Sequence, residues 1–280
     1  MRKLIMIATI LSYLGCKKDK SDFGNYEKPQ ILQKLEDYQK KEKANWENLE
    51  FWIDYERYYS ITPIDVIPFA STGNNGIHFG FLTDFGKIKD LEKAPIVAIA
   101  PTYDPPINII AKNIEQFLSF VAYSEQASLL ADIYENEKAF EFRKNQYLEW
   151  QMEEKHVLKR KKTIELLKKD FGIEKENKVI SKINTFKNER KKIINTETSD
   201  GIGLVLRNNE KVSNFEYNKD SKKVKEFLDN SNLNSRLKFY REATFQYILS
   251  DDYDKEIKKL IVNYLEKDGL KKESEIIKKL

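Results

Sequence analysis

The sequence predicts an α+β fold: a small, mainly antiparallel sheet flanked by helices, followed by a largely helical C-terminal region with a short hairpin. Three observations lead there. Apolar runs at residues 65–70, 77–83 and 95–101 surround a glycine-containing turn at residues 71–76. An amphipathic stretch follows, with Ile110, Ile114, Phe117, Leu118 and Val121 at helical spacing. From residue 124 to about residue 198 the chain is free of proline and rich in Lys and Glu, a composition suited to solvated helices.

The N-terminus reads as an export signal. Arg2 and Lys3 precede an apolar run over residues 4–14, and Gly15-Cys16 then meets the charged run Lys17-Lys18-Asp19-Lys20. Eleven apolar-rich residues fall short of the about 20 needed for a spanning helix. A small residue directly before a cysteine at the end of such a run resembles the lipobox of bacterial lipoproteins. That resemblance implies lipidation of Cys16 and a cell-envelope location, periplasmic or surface-facing. A short buried N-terminal helix is the other reading of the same residues. Cys16 is the only cysteine, which excludes an intramolecular disulfide and any metal site built on paired cysteines.

Residues 17–28 are polar and read as a tether. Pro29 suits the first turn of a helix, and Ile31, Leu35 and Tyr38 share one side of it. The stripe continues through Trp46, Leu49, Trp52, Tyr55 and Tyr59, as a helix packed on the sheet or as an aromatic partner surface. Pro63 marks the exit into the sheet. The strand at residues 65–70 contains Pro68, which cannot donate to a ladder and so belongs on an edge or a bulge. Gly73, Asn74, Asn75 and Gly76 supply the left-handed positions of a hairpin turn. The return strand puts Ile77, Phe79 and Phe81 on one face and His78, Gly80 and Leu82 on the other, as expected of an inner strand covered on both sides. Residues 95–101 form a further buried strand, and Tyr103-Asp104-Pro105-Pro106 a turn.

This order of elements, with IPFA, TGNNG, HFGFLTD, PIVAIAPT and NIEQFLSF at successive positions, resembles the SUKH superfamily over roughly residues 46–123. The resemblance implies a small α+β binding domain. In bacteria such domains look like immunity proteins, which neutralise a cognate toxin by occluding it.

The expected organisation is therefore a signal peptide at 1–16, a tether at 17–28, a SUKH-like domain at 29–123 and a charged helical region at 124–280. Within the last, one amphipathic segment starts at Ala127 and a longer one runs from Phe140 to Phe171, with Gly172 as C-cap. Residues 200–206 and 215–217 are expected to pair as a hairpin around Asn208-Asn209. Residues 222–228, 235–249 and 253–280 read as three helices, the last breaking near Gly269. Gly201 and Gly203 form GxG without a third glycine, which is no dinucleotide fingerprint.

Charged residues make up 34% of the sequence, and the formal charge of +4 falls to about +2 once Arg2 and Lys3 leave with the signal. The run Lys159-Arg160-Lys161-Lys162 is diluted by Glu153, Glu154 and Glu165 and lacks interleaved aromatic stacking partners; no nucleic-acid partner is expected. His78 and His156 are the only histidines. His78, with Asp65 and Asp84 as potential neighbours, reads as a hydrogen-bonded strand residue, since one His without a second strong donor makes a poor metal site. No nucleophile, zinc-protease or phosphate-loop motif is present. No metal, cofactor or small-molecule substrate is expected.

The expected function is that of a non-catalytic, membrane-anchored protein-binding lipoprotein of immunity type. An accessory envelope lipoprotein docking on a larger complex is the alternative, and a hydrolase centred on His78 a third reading. Exposed loops on a rigid sheet commonly carry recognition. The expected partner surface is accordingly Gly73, Asn74, Asn75 and Gly76 with Tyr103 and Asp104.

Overall fold

The computed structural model describes residues 23–208, 210–248 and 254–279. The expected signal peptide, Cys16 and residues 17–22 of the expected tether lie outside these. Two of residues 23–28 are tied to the fold: Phe23 is buried, and the Lys28 ammonium pairs with Glu36 at 2.7 Å.

Five antiparallel strands lie in sequence order: β1 (Trp52–Ile53), β2 (Val66–Ser71), β3 (His78–Leu82), β4 (Ile96–Ile99) and β5 (Ile107–Ala111). As the pattern of two apolar faces predicts, β3 is an inner strand with every residue buried. Pro68 sits at a break in register, Pro68 facing Gly80 and Ala70 facing Phe79. The bulge accommodates a residue without an N–H.

One sheet face, with Phe69, Phe79, Phe81 and Ala98, joins a large hydrophobic cluster under helices α1 (Gln30–Lys40) and α2 (Ile114–Ser124). Phe117 of α2 lies 4.9 Å from the Phe79 ring and 5.6 Å from Phe69. The same cluster takes in Phe140 of α3 (Glu137–Trp150), Ile164 and Leu167 of α4 (Glu154–Phe171) and Ile183 of α5 (Val179–Lys191). Residues on both sides of Tyr123 thus share one core. The opposite face gathers Val66, Leu82, Val97, Ile99, Ile107, Ile109 and Ile202. A third cluster joins α6 (Ser221–Asn230), α7 (Leu233–Ala243), α8 (Lys255–Lys267) and α9 (Lys271–Lys279) to Ile64 and Phe85 beside the sheet.

Several expectations are corrected. Ile110 lies on strand β5, because Asn113 starts the helix: its side chain accepts from the Gln116 N–H at 2.9 Å, while Gln116 accepts from the Lys112 N–H at 3.0 Å. The aromatic stripe is not one helix. α1 stops at Lys40, Glu42 takes φ +55°, and the chain continues through a short 3-10 turn at Trp46–Leu49 into β1. The stretch from Phe140 to Phe171 divides into α3 and α4.

The hairpin between residues 200–206 and 215–217 does not form; Thr196 and Leu204 make one isolated bridge there instead. Side chains occupy the groups that a ladder would use. Asp200 accepts from the Ile202 N–H at 3.1 Å, Thr198 from the Gly203 N–H at 3.0 Å and Asn195 from the Leu206 N–H at 2.7 Å. Phe215 packs on Phe227 and Phe239.

Candidate binding surface

The β2–β3 turn is held from within. The Thr72 N–H donates to Ile77 O at 3.0 Å and the Ile77 N–H to Asn74 O at 3.0 Å, while the Thr72 hydroxyl donates to Asn74 O at 3.1 Å. Gly73, Asn75 and Gly76 take φ of +72°, +52° and +69°. Lack of a side chain matters twice at the glycines. A Cβ on Gly73 would lie 3.2 Å from the Trp52 ring, and one on Gly76 3.1 Å from Tyr59 and 3.2 Å from Pro101. Gly73, Asn74 and Asn75 are exposed, and Gly76 is half-buried.

His78 braces this turn. Its Nδ1–H donates to Gly76 O at 2.8 Å, and Nε2 accepts from the Thr62 hydroxyl at 2.9 Å. Burial pushes the imidazole pKa down to about 4, against the pull of the Gly76 carbonyl, so the ring is neutral at pH 7. Both nitrogens are engaged within the fold. Asp65 and Asp84 are not among its hydrogen-bond partners; both carboxylates bind arginines instead. His156 is exposed near the start of α4, with Nε2 3.4 Å from a Glu153 carboxylate oxygen.

The β4–β5 loop emerges at the same end of the sheet, because His78 faces Ile99. The Ala100 N–H donates to Pro106 O at 2.7 Å and the Tyr103 N–H to Ala100 O at 2.9 Å. The Asp104–Pro105 bond is cis. Asp104 is exposed and Tyr103 half-buried. Burial raises the Tyr103 phenol pKa, and the Asp132 charge adds to the shift. Gly76 lies close to Pro101 at the start of the loop, so the turn and the loop stand at one end of the sheet, with no contact between residues 73–76 and Tyr103 or Asp104 among those described.

A further patch went unnoticed in the sequence. The Arg143 guanidinium stands 4.9 Å from the Tyr147 ring and 5.9 Å from Trp150 on α3. Trp150 is 71% exposed and Phe142 65%. Tyr147 and Arg143 both act electrostatically on Tyr103, which links this patch to the loop. Arg, Tyr and Trp are the residues most enriched at binding hot spots. The available signal was the spacing of Arg143, Tyr147 and Trp150 on a helix whose core-facing residue is Phe140.

Beneath the sheet lies a cluster of buried charges. Arg190 holds Asp84 through two bonds of 2.9 and 2.7 Å, and Arg241 bridges Asp65 and, at 2.7 Å, Asp200. Three carboxylates face two guanidiniums, and Asp65 Oδ1 has no hydrogen-bond partner among the described residues. Burial pushes the Asp65 pKa up to about 6, with Arg241 opposing. These groups fasten the sheet to the C-terminal helices. Among the described residues no group of three His, Cys, Asp or Glu side chains is placed to hold a metal ion, and no helix is long and apolar enough to cross a membrane. No family model matches the chain, and no curated protein matches it.

Proposed function

We propose that this protein is a membrane-anchored lipoprotein, held through Cys16, that acts by binding another protein, as an immunity protein neutralising a cognate toxin. One observation carries the binding role: the β2–β3 turn and the β4–β5 loop both leave one end of a five-stranded sheet whose strands β2–β5 are buried. A rigid base under exposed polar loops limits the ordering that binding costs. The SUKH-like order of elements supports the immunity reading, and the lipobox-like Gly15-Cys16 supports the anchor. Interception then takes place in the periplasm or at the outer membrane.

The test is partner capture with the chain from Lys17 to the C-terminus, followed by neutralisation. A single polypeptide that is toxic to cells, is neutralised by this protein and is bound more weakly by Asn75→Lys supports the reading. Recovery of a set of envelope components, or a toxin bound equally by wild type and Asn75→Lys, refutes it. Fatty-acid labelling of wild type, absent in Cys16→Ala, tests the anchor.

A further inference from the structure

Helix α9 carries a buried carboxylate with no cation of its own. Glu273 is 5% exposed, and its side chain makes no hydrogen bond or ion pair with another of the described residues. Folded proteins almost always pair such a group. Burial pushes the Glu273 pKa up to about 7, and the Asp65 charge adds to the rise. Its own backbone N–H, Lys272 and Arg207 pull the other way.

The carboxylate is not sealed in. It lines a cavity of about 270 Å³ together with Tyr26, Phe85, Gly86, Arg207 and Leu270. Sites for drug-sized ligands run to roughly 300–1,000 Å³, so this one suits a smaller molecule. Gly86 takes φ +78°, and a Cβ there would lie 3.4 Å from the Tyr26 hydroxyl and 3.5 Å from Arg207 Nη2. The phenol and the guanidinium therefore border the same point of the wall. Arg207 donates to Phe85 O at 2.9 Å, which leaves other N–H groups of the guanidinium for a ligand.

The charges are sorted by depth. Glu273 is the acid among the lining residues and is buried, whereas Arg207, Lys89 and Lys271 are cations on the exposed side. A simple amine would meet those cations before it reached Glu273, and a simple acid would end against the Glu273 carboxylate. A molecule with its ammonium inward and its carboxylate outward matches both layers.

We propose that this cavity binds a small α-amino acid, its ammonium on Glu273 and its carboxylate on Arg207. The cavity lies at the end of β3 away from the 73–76 turn, because Phe85 and Gly86 follow Leu82. The site is thus separate from the protein-binding loops and stands whether or not that reading holds.

Titration of the full chain with L-alanine, followed by NMR amide shifts, tests it. L-alanine presents the two charged groups and a methyl, and should give saturable shifts centred on Phe85, Gly86, Arg207 and Glu273. Ethylamine and propionate, each lacking one charged group, should bind at least about tenfold more weakly. Glu273→Gln removes a buried charge and keeps the shape, so it should unfold at or above the wild-type temperature while binding L-alanine at least about tenfold more weakly. Arg207→Gln, at an exposed position, should weaken binding similarly. No saturable shift at the cavity, ethylamine or propionate binding as tightly as L-alanine, or unchanged binding in either folded variant each overturns the proposal.

Discussion

Replacing Arg190 by methionine tests whether the buried charge cluster holds the two parts of the molecule together. Arg190 is 5% exposed at its side chain and Asp84 1%. The guanidinium makes two bonds to Asp84, one of 3.0 Å to Ile202 O and one of 2.9 Å to Gly203 O. Methionine fills much of the same volume and donates to none of these acceptors. An uncompensated buried carboxylate costs about 3–5 kcal/mol, and unpaired carbonyls add about 1 kcal/mol or more. The expected loss is about 4–6 kcal/mol, comparable with the whole stability of many domains. Urea unfolding followed by tryptophan fluorescence measures it, since Trp46 is buried in the main core. The double variant Asp84→Asn with Arg190→Met should recover a substantial part of the loss, because the stranded charge is gone. A loss below about 1 kcal/mol for Arg190→Met would show that the cluster does not carry this load.

The other predictions concern the sheet. Phe79→Ala should cost about 3–5 kcal/mol in the same assay, since Phe79 is fully buried against Phe117; a near-neutral result would contradict the β3 packing. Gly80→Ala should cost about 1–3 kcal/mol, because its Cβ would fall 2.3 Å from Val66 Cγ1 and 3.0 Å from the backbone oxygen of Ile67; wild-type stability would rule out the close approach of β2. His78→Asn tests pH linkage. The His78 pKa is depressed to about 4 in the fold against about 6.5 when unfolded, so its contribution is present above pH 6.5 and lost as the pH falls towards 4. The gap between variant and wild type should move in the variant's favour by about 3 kcal/mol over that window. A gap that stays constant would show that His78 titrates normally.

Much of the sheet was legible because its signals are local. Residues 65–70, 77–83 and 95–101 become strands, and the glycines of the turn do take the left-handed angles. Strand β5 was hidden because Ile110 stands four residues before Ile114 and continues the helical spacing; the Asn113 and Gln116 capping pair carried the counter-signal. The stripe from Ile31 to Tyr59 misled similarly, since aromatic residues at helical intervals say nothing of a break at Lys40. The hairpin at 200–206 failed for a non-local reason. Arg190 takes the carbonyls of Ile202 and Gly203, and no pattern within residues 200–217 discloses an arginine arriving from another helix. The two turns at residues 73–76 and 103–106 could be read from the sequence, but the Arg143–Tyr147–Trp150 patch depends on how α3 packs.

The buried charges also impose an order on biosynthesis. Asp84 emerges 106 residues before Arg190, and Asp65 emerges 176 residues before Arg241. At roughly 5–20 residues per second, the sheet's acids wait several seconds or longer for the cations that neutralise them. Until then a closed sheet would strand both carboxylates, so the nascent chain gains by keeping that face open to water. The final assembly is thus timed by the arginines, and a chain truncated before residue 190 could close one sheet face on α1 and α2 while Asp84 lacks its guanidinium.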